Sequence, residues 1–203
     1  MTTHLGLQRI MIPSAQVSQL TTGSITLPSA RGAFDGSEFE FIDGSLLTSD
    51  ASSVTFSSIP QTYRALILRS SARTTSSQTD TYMRYNGDSS AIYANHLLVG
   101  SGTAVNAFDL TGQTQTRSAC LLAGSTQPAA TFGIGYVLIN DYSSTTKLKT
   151  SKSYVGTVGP TSGGEMQWYD NLYASTSAIT SILLSPGGGN FVSGSRFNLY
   201  GVK

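Results

Sequence analysis

SSVTFSSIPQTYRALILRSSAR, residues 52–73, places two alternating runs on either side of a Pro60–Gln61 break. In the first, Val54 and Phe56 share one face and Ser and Thr take the other. In the second, Ala65, Ile67 and Arg69 point one way, and Leu66, Leu68 and Ser70 the other. A period of two belongs to a pleated strand, because successive Cβ atoms leave opposite faces of the sheet. Two strands interrupted by proline define the texture expected of the whole chain.

The same pattern continues in both directions. FEFI (39–42) is a short strand upstream. DTYMRYNGD (80–88) alternates and closes on Asn-Gly, a strong hairpin signal. ANHLLVGSG (94–102) follows. Residues 103–116 are polar and weakly patterned, which predicts a loop. RSACLLAG (117–124) and TFGIGYVLINDY (131–142) read as strands. In the latter, Gly133 and Gly135 share a face, which predicts a bulge or the close approach of another backbone. KLKTSKSYVGTV (147–158) alternates strongly, and EMQWYDNLY (165–173) carries the one tryptophan. ITSILLS and SRFNLYG close the chain around SPGGGN (185–190), a wide loop expected to reach outward. In the last strand Arg196, Asn198 and Tyr200 line one face, while Phe197 and Leu199 go to the core. No helical period persists beyond about two turns. Short strands with Gly, Ser and Asn turns predict an antiparallel sandwich or barrel.

Composition supports this reading. Charged residues are 11% of the 203, well under the usual quarter, and the formal net charge is +1. Ser and Thr fill about a quarter of the chain, with 10 Tyr, 8 Phe and 21 Gly. The aromatics and β-branched residues separate it from disordered sequences of low charge. Scattered Lys and Arg provide no basic stripe, so neither nucleic acid nor an anionic membrane surface is an expected partner. No run has the length of a transmembrane helix, and the first 30 residues lack the pattern of a signal peptide.

Reactive chemistry is thin. Two histidines (His4, His96) and Cys120 form no metal-binding spacing, so no metal site and no cofactor is expected. Cys120 sits in an apolar run, as a buried inert thiol would. DGSEFEFIDG (35–44) is the densest acidic stretch and suits a charged strand edge better than a calcium site. Glu165 and Asp170 flank MQWY and are the one carboxylate pair worth weighing for glycosidase chemistry. No serine elbow, dinucleotide fingerprint or phosphate loop is present, and no catalytic residue is expected. Tyr142, Tyr154, Trp168, Tyr169 and Tyr173 could offer aromatic faces to a sugar. They could equally pack a core or a subunit interface.

Residues 1–36 differ from the rest. Pro13 and Pro28 each end a short apolar piece, and Leu7, Ile10, Ile12, Ile25 and Leu27 supply its apolar side chains. This predicts an extended attachment arm, or alternatively a first strand or two of the domain at 37–203.

Three stretches, SSVTFSSIPQTYRALILRSSART (52–74), YMRYNGDSSAIYANHLLVGSG (82–102) and AITSILLSPGGGNFVSGSRFNLYGVK (178–203), together resemble a β-rich domain of tailed-bacteriophage virion proteins, of the tail fibre or virion structural type. The likeness covers about 37–203 and carries no catalytic residues. The fold expected is an antiparallel β-sandwich of jelly-roll type, preceded by the extended N-terminal arm, which falls outside the likeness. The likeness implies a non-enzymatic virion protein, a capsid decoration or short tail or fibre component, that forms a homotrimer and contacts other virion proteins. The alternative is a receptor-binding fibre tip that recognises a host glycan. Under either, Tyr142, Tyr154, Trp168, Tyr169, Tyr173, Arg196 and Tyr200 are the candidate ligand or interface residues.

Overall fold

The structure is a computed structural model that describes residues 38–159 and 164–203. The expected arm, with Leu7, Ile10, Ile12, Pro13, Ile25, Leu27 and Pro28, lies outside the described residues. Within them every regular element is a strand. The elements are β1 (Phe39–Leu46), β2 (Val54–Phe56), β3 (Ala65–Ala72), β4 (Thr79–Tyr85), β5 (Tyr93–Ser101) and β6 (Ala104–Gln113). They continue with β7 (Leu121–Leu122), β8 (Gly133–Asn140), β9 (Lys149–Thr157), β10 (Glu165–Tyr173), β11 (Ile182–Pro186) and β12 (Arg196–Val202).

Two antiparallel sheets result. The larger runs β1-β12-β3-β8-β9-β10-β5-β6 and the smaller β2-β11-β4-β7. The chain passes back and forth between them, so each sheet is built from distant pieces of sequence. The core is the space between the sheets. Leu66 and Leu68 of β3, Val137 and Ile139 of β8, and Phe197 and Leu199 of β12 face Phe56, Met83, Ile182 and Leu184 of the smaller sheet. Burying each such side chain contributes about 1.5–3 kcal/mol. The alternation in 63–73 and 196–202 therefore has the faces its sequence predicts.

β9, β10 and β5 lie beyond the four strands of the larger sheet nearest β1. Their inner face is covered by the segment around 114–121, and the contact combines an apolar cluster of Leu97, Leu121, Val155 and Tyr169 with polar pairs. Asn171 donates to the Ser118 hydroxyl at 3.0 Å, and the Arg117 backbone N–H donates to the Asn95 side chain at 3.2 Å. At this seam Tyr85, Tyr93 and Tyr173 pack ring against ring, with centroids 4.8–6.2 Å apart, and join the two sheets.

Three expectations change. The Tyr-Asn-Gly-Asp turn forms, with φ of 53° at Asn86 and 68° at Gly87 and Asp88 N–H donating to Tyr85 O at 2.9 Å. It does not make a hairpin, because β4 belongs to the smaller sheet and β5 to the larger. The Asn86 side chain is occupied elsewhere: its amide donates to Ala178 O, and its oxygen accepts from the Thr180 and Ser181 backbone. Residues 103–116 hold strand β6, paired to β5 through a tight turn at Gly102. β6 is an edge strand wetted on both faces, so nothing in its sequence selects alternation. The glycine loop stays at the surface but docks along residues 75–80 instead of reaching out: Gly187 N–H donates to Asp80 O, and Thr75 N–H donates to Asn190 O.

The paired glycines fit the expectation of a close backbone approach. A Cβ on Gly133 would lie 1.6 Å from Leu121 O, and one on Gly135 2.1 Å from Ala119 O. The chain at 119–121 crosses directly over β8.

Candidate functional site

The outer face of the larger sheet is built by the alternate residues of each strand, and the register sets them in rows. One row runs Arg69, Tyr136, Tyr154, Trp168, Leu98 across β3, β8, β9, β10 and β5. The row beside it contains Ile134, Gly156 and Met166. Met166 is 71% exposed, Ile134 64%, Tyr154 51% and Trp168 45%. Tyr154 and Trp168 pair with centroids 5.3 Å apart. With Phe132 and Val158 these side chains line an open groove of about 660 Å³. At the β1 end, Phe39, Phe41 and Tyr200 add a second apolar area. Isolated exposed apolar side chains are ordinary, but contiguous ones on one sheet face mark a surface that meets something.

Of the expected ligand or interface residues, the fold brings Tyr154, Trp168, Arg196 and Tyr200 to this face. Tyr142, Tyr169 and Tyr173 are corrected to interior positions, at no more than 2% exposure. Their phenols are spent on internal bonds: Tyr142 to Pro60 O, Tyr169 to Gln167 at 2.5 Å, and Tyr173 to Asp88 at 2.9 Å. Parity explains the split. Trp168 and Tyr169 are neighbours in sequence and therefore lie on opposite faces.

The third and fourth rows of the face bring polar side chains among Leu138, Leu172 and Ala94. Lys152, Asp170, His96 and Asp109 follow one another across β9, β10, β5 and β6, with Asn140 and Thr150 beside them. Lys152 Nζ meets Asp170 at 2.8 Å and sits 5.6 Å from the Trp168 ring centre. The Asp170 carboxylate, hydrogen-bonded to the ammonium, raises the Lys152 pKa. These residues surround a shallow basin of about 410 Å³. His96, Asp109 and Asn140 are absent from the residues singled out by sequence, since only the strand register unites them. Ile134 could have been found: once Gly133 and Gly135 face a crossing backbone, Ile134 and Tyr136 must face out.

Glu165 and Asp170 do not form a carboxylate pair. They lie five residues apart on one strand, roughly 17 Å along it, and leave opposite faces. Glu165 instead accepts from Gln78 at 3.1 Å and from Gln167. Among the described residues no group of three His, Cys, Asp or Glu is placed to hold a metal ion, and no helix is long and apolar enough to cross a membrane. Cys120 is fully buried, and burial pushes its thiol up to about 12.

Near Glu165, burial pushes the Asp80 carboxyl up to about 6, against the opposing pull of Arg117. Because the folded value lies above the ordinary 3.8, this group's stabilising contribution is full below about pH 4. It is lost as pH rises through about 6. Asp80→Asn is therefore expected to remove a fall in stability on the order of 2 kcal/mol between these limits. Urea unfolding of both proteins from pH 4 to 7 measures it, and parallel pH profiles would contradict it.

Comparison with known proteins found no matching family model, no matching curated protein and no matching solved structure.

Proposed function

We propose that this chain is a non-enzymatic structural protein of a bacteriophage particle. In this reading it associates with copies of itself through the exposed apolar rows of the larger sheet and attaches to the particle through residues 1–36. The observation that carries the proposal is the outer face itself. Ile134, Tyr154, Met166 and Trp168 stand exposed and contiguous on a chain with few charges. Interface cores are depleted in charge and enriched in aromatic residues and Met, as this face is.

Strand order supports the reading at the level of architecture. The order β1-β12-β3-β8 opposite β2-β11-β4-β7 supports reading the sandwich as a jelly roll. The β5–β6 hairpin and the β9–β10 pair are then insertions that widen one sheet. Jelly rolls build viral capsid and lectin domains alike, so the fold suits a particle protein without deciding its role. The three stretches that resemble tailed-phage virion proteins point the same way.

The test is mass spectrometry of particles purified from the host that carries this gene. The expected result is the chain present at a stoichiometric copy number. Its absence from intact particles would overturn the proposal.

A further inference from the structure

We propose that the basin beside Trp168 is a binding site for a neutral hexose or N-acetylhexosamine unit of a surface polysaccharide. It lies below the apolar rows and takes its polar groups from other side chains, while Trp168 and Leu98 at its border belong to those rows. Five strands build it. His96 of β5 lies directly opposite Asp109 of β6 and Asp170 of β10, and Asp170 lies opposite Lys152 of β9. Asn140 of β8 and Thr150 of β9 complete the rim. A second depression, of about 230 Å³, shares His96 and Asp170 and extends the basin to the Trp168 ring and Leu98.

The chemistry narrows the ligand. A pyranose ring has an apolar face of C–H groups and an equator of hydroxyls. Trp168 offers an apolar ring at the border of the basin, with the Tyr154 ring 5.3 Å from it between centroids and the Lys152 ammonium 5.6 Å from its centre. Around the basin stand two carboxylates, an amide, an imidazole, a hydroxyl and an ammonium. Carboxylates accept from sugar hydroxyls, while the amide and ammonium donate to sugar oxygens. Lys152 is neutralised by Asp170, which leaves the Asp109 carboxylate in excess. That charge balance disfavours uronic acids, sialic acids and phosphates, and it selects neutral sugars. The basin volume, about 410 Å³, lies within the ordinary range for small-ligand sites. The basin is shallow and open along the sheet, so the chain on either side of the bound unit can leave it.

The only tryptophan of the protein is Trp168, so its fluorescence reports on this site, and titration at a fixed protein concentration with light scattering in parallel separates sugar binding from any change in association. The experiment titrates the full chain with methyl glycosides of glucose, galactose, mannose, N-acetylglucosamine and N-acetylgalactosamine, with oligosaccharides of each, and with glucuronic acid. The expected result is a saturable change with at least one neutral sugar and none with glucuronic acid. Asp109→Ala and Asp170→Ala, both surface changes, are each expected to weaken that sugar about tenfold or more, the loss of one charged hydrogen-bond partner. Three outcomes would overturn the proposal. The neutral panel could give no saturable change, glucuronic acid could bind as well as any neutral sugar, or both variants could bind with unchanged affinity.

Discussion

Gly133→Ala is expected to abolish the folded state. The Cβ would be placed 1.6 Å from Leu121 O and 2.8 Å from Leu121 C, both backbone atoms that no rotamer change can move. Relief requires lifting residues 119–121 off β8, which would uncover Cys120, Leu121 and Leu122, all buried at or below 2% exposure. The cost exceeds about 4 kcal/mol, a size reserved for a few named mechanisms, of which overpacking a core is one. A domain of this size is stable by about 5–15 kcal/mol. Circular dichroism with urea unfolding tests this, with Gly100→Ala as the comparison, since a Cβ there meets Met166 O at an ordinary 3.8 Å. The variant should show no cooperative transition or a drastically reduced one, while Gly100→Ala stays within about 1 kcal/mol of the parent. Equal stability of the two variants would mean that the crossing over β8 is wrong.

The second large effect concerns association. Ile134→Lys together with Met166→Lys is expected to dissociate the assembled protein while leaving each chain folded. Both side chains are mostly exposed in the single chain, so two lysines there cost its fold little. In an assembly that covers the same rows, every copy would bury two unpaired ammonium groups. The penalty is several kcal/mol per ion, which corresponds to a loss in affinity of at least about a thousandfold.

Much of this architecture is legible in the sequence because it depends on local alternation. The faces of 63–73 and 196–202 follow from parity alone, and Gly133 with Gly135 announces the crossing backbone. What escapes local reading is pairing. Asn86–Gly87 dictates a turn, yet a turn does not say which sheet the next strand joins, and β5 goes to the other one. Residues 103–116 look like a loop because an edge strand wetted on both faces needs no alternation. SPGGGN looks like a projecting loop because its docking partners, Thr75 and Asp80, lie more than a hundred residues away in the chain.

The candidate site divides along the same line. Tyr154, Trp168, Arg196 and Tyr200 are found by sequence and stand on one face. Tyr169 and Tyr173 share the segment EMQWYDNLY with Trp168, and strand parity sends them inward. The polar basin is the least legible part. His96, Asp109, Asn140, Lys152 and Asp170 come from five strands and meet only through register, which no local pattern encodes.

The apolar rows of the larger sheet are proposed as a self-association surface. Light scattering of the full chain in solution, alongside the Ile134→Lys, Met166→Lys double variant, addresses it most directly. The expected result is a multiple of the 21.4 kDa chain for the parent, three copies if the resemblance to virion proteins extends to assembly, and a single chain for the variant. A parent that is one chain at every concentration, or a variant that keeps the parent's mass, would contradict it.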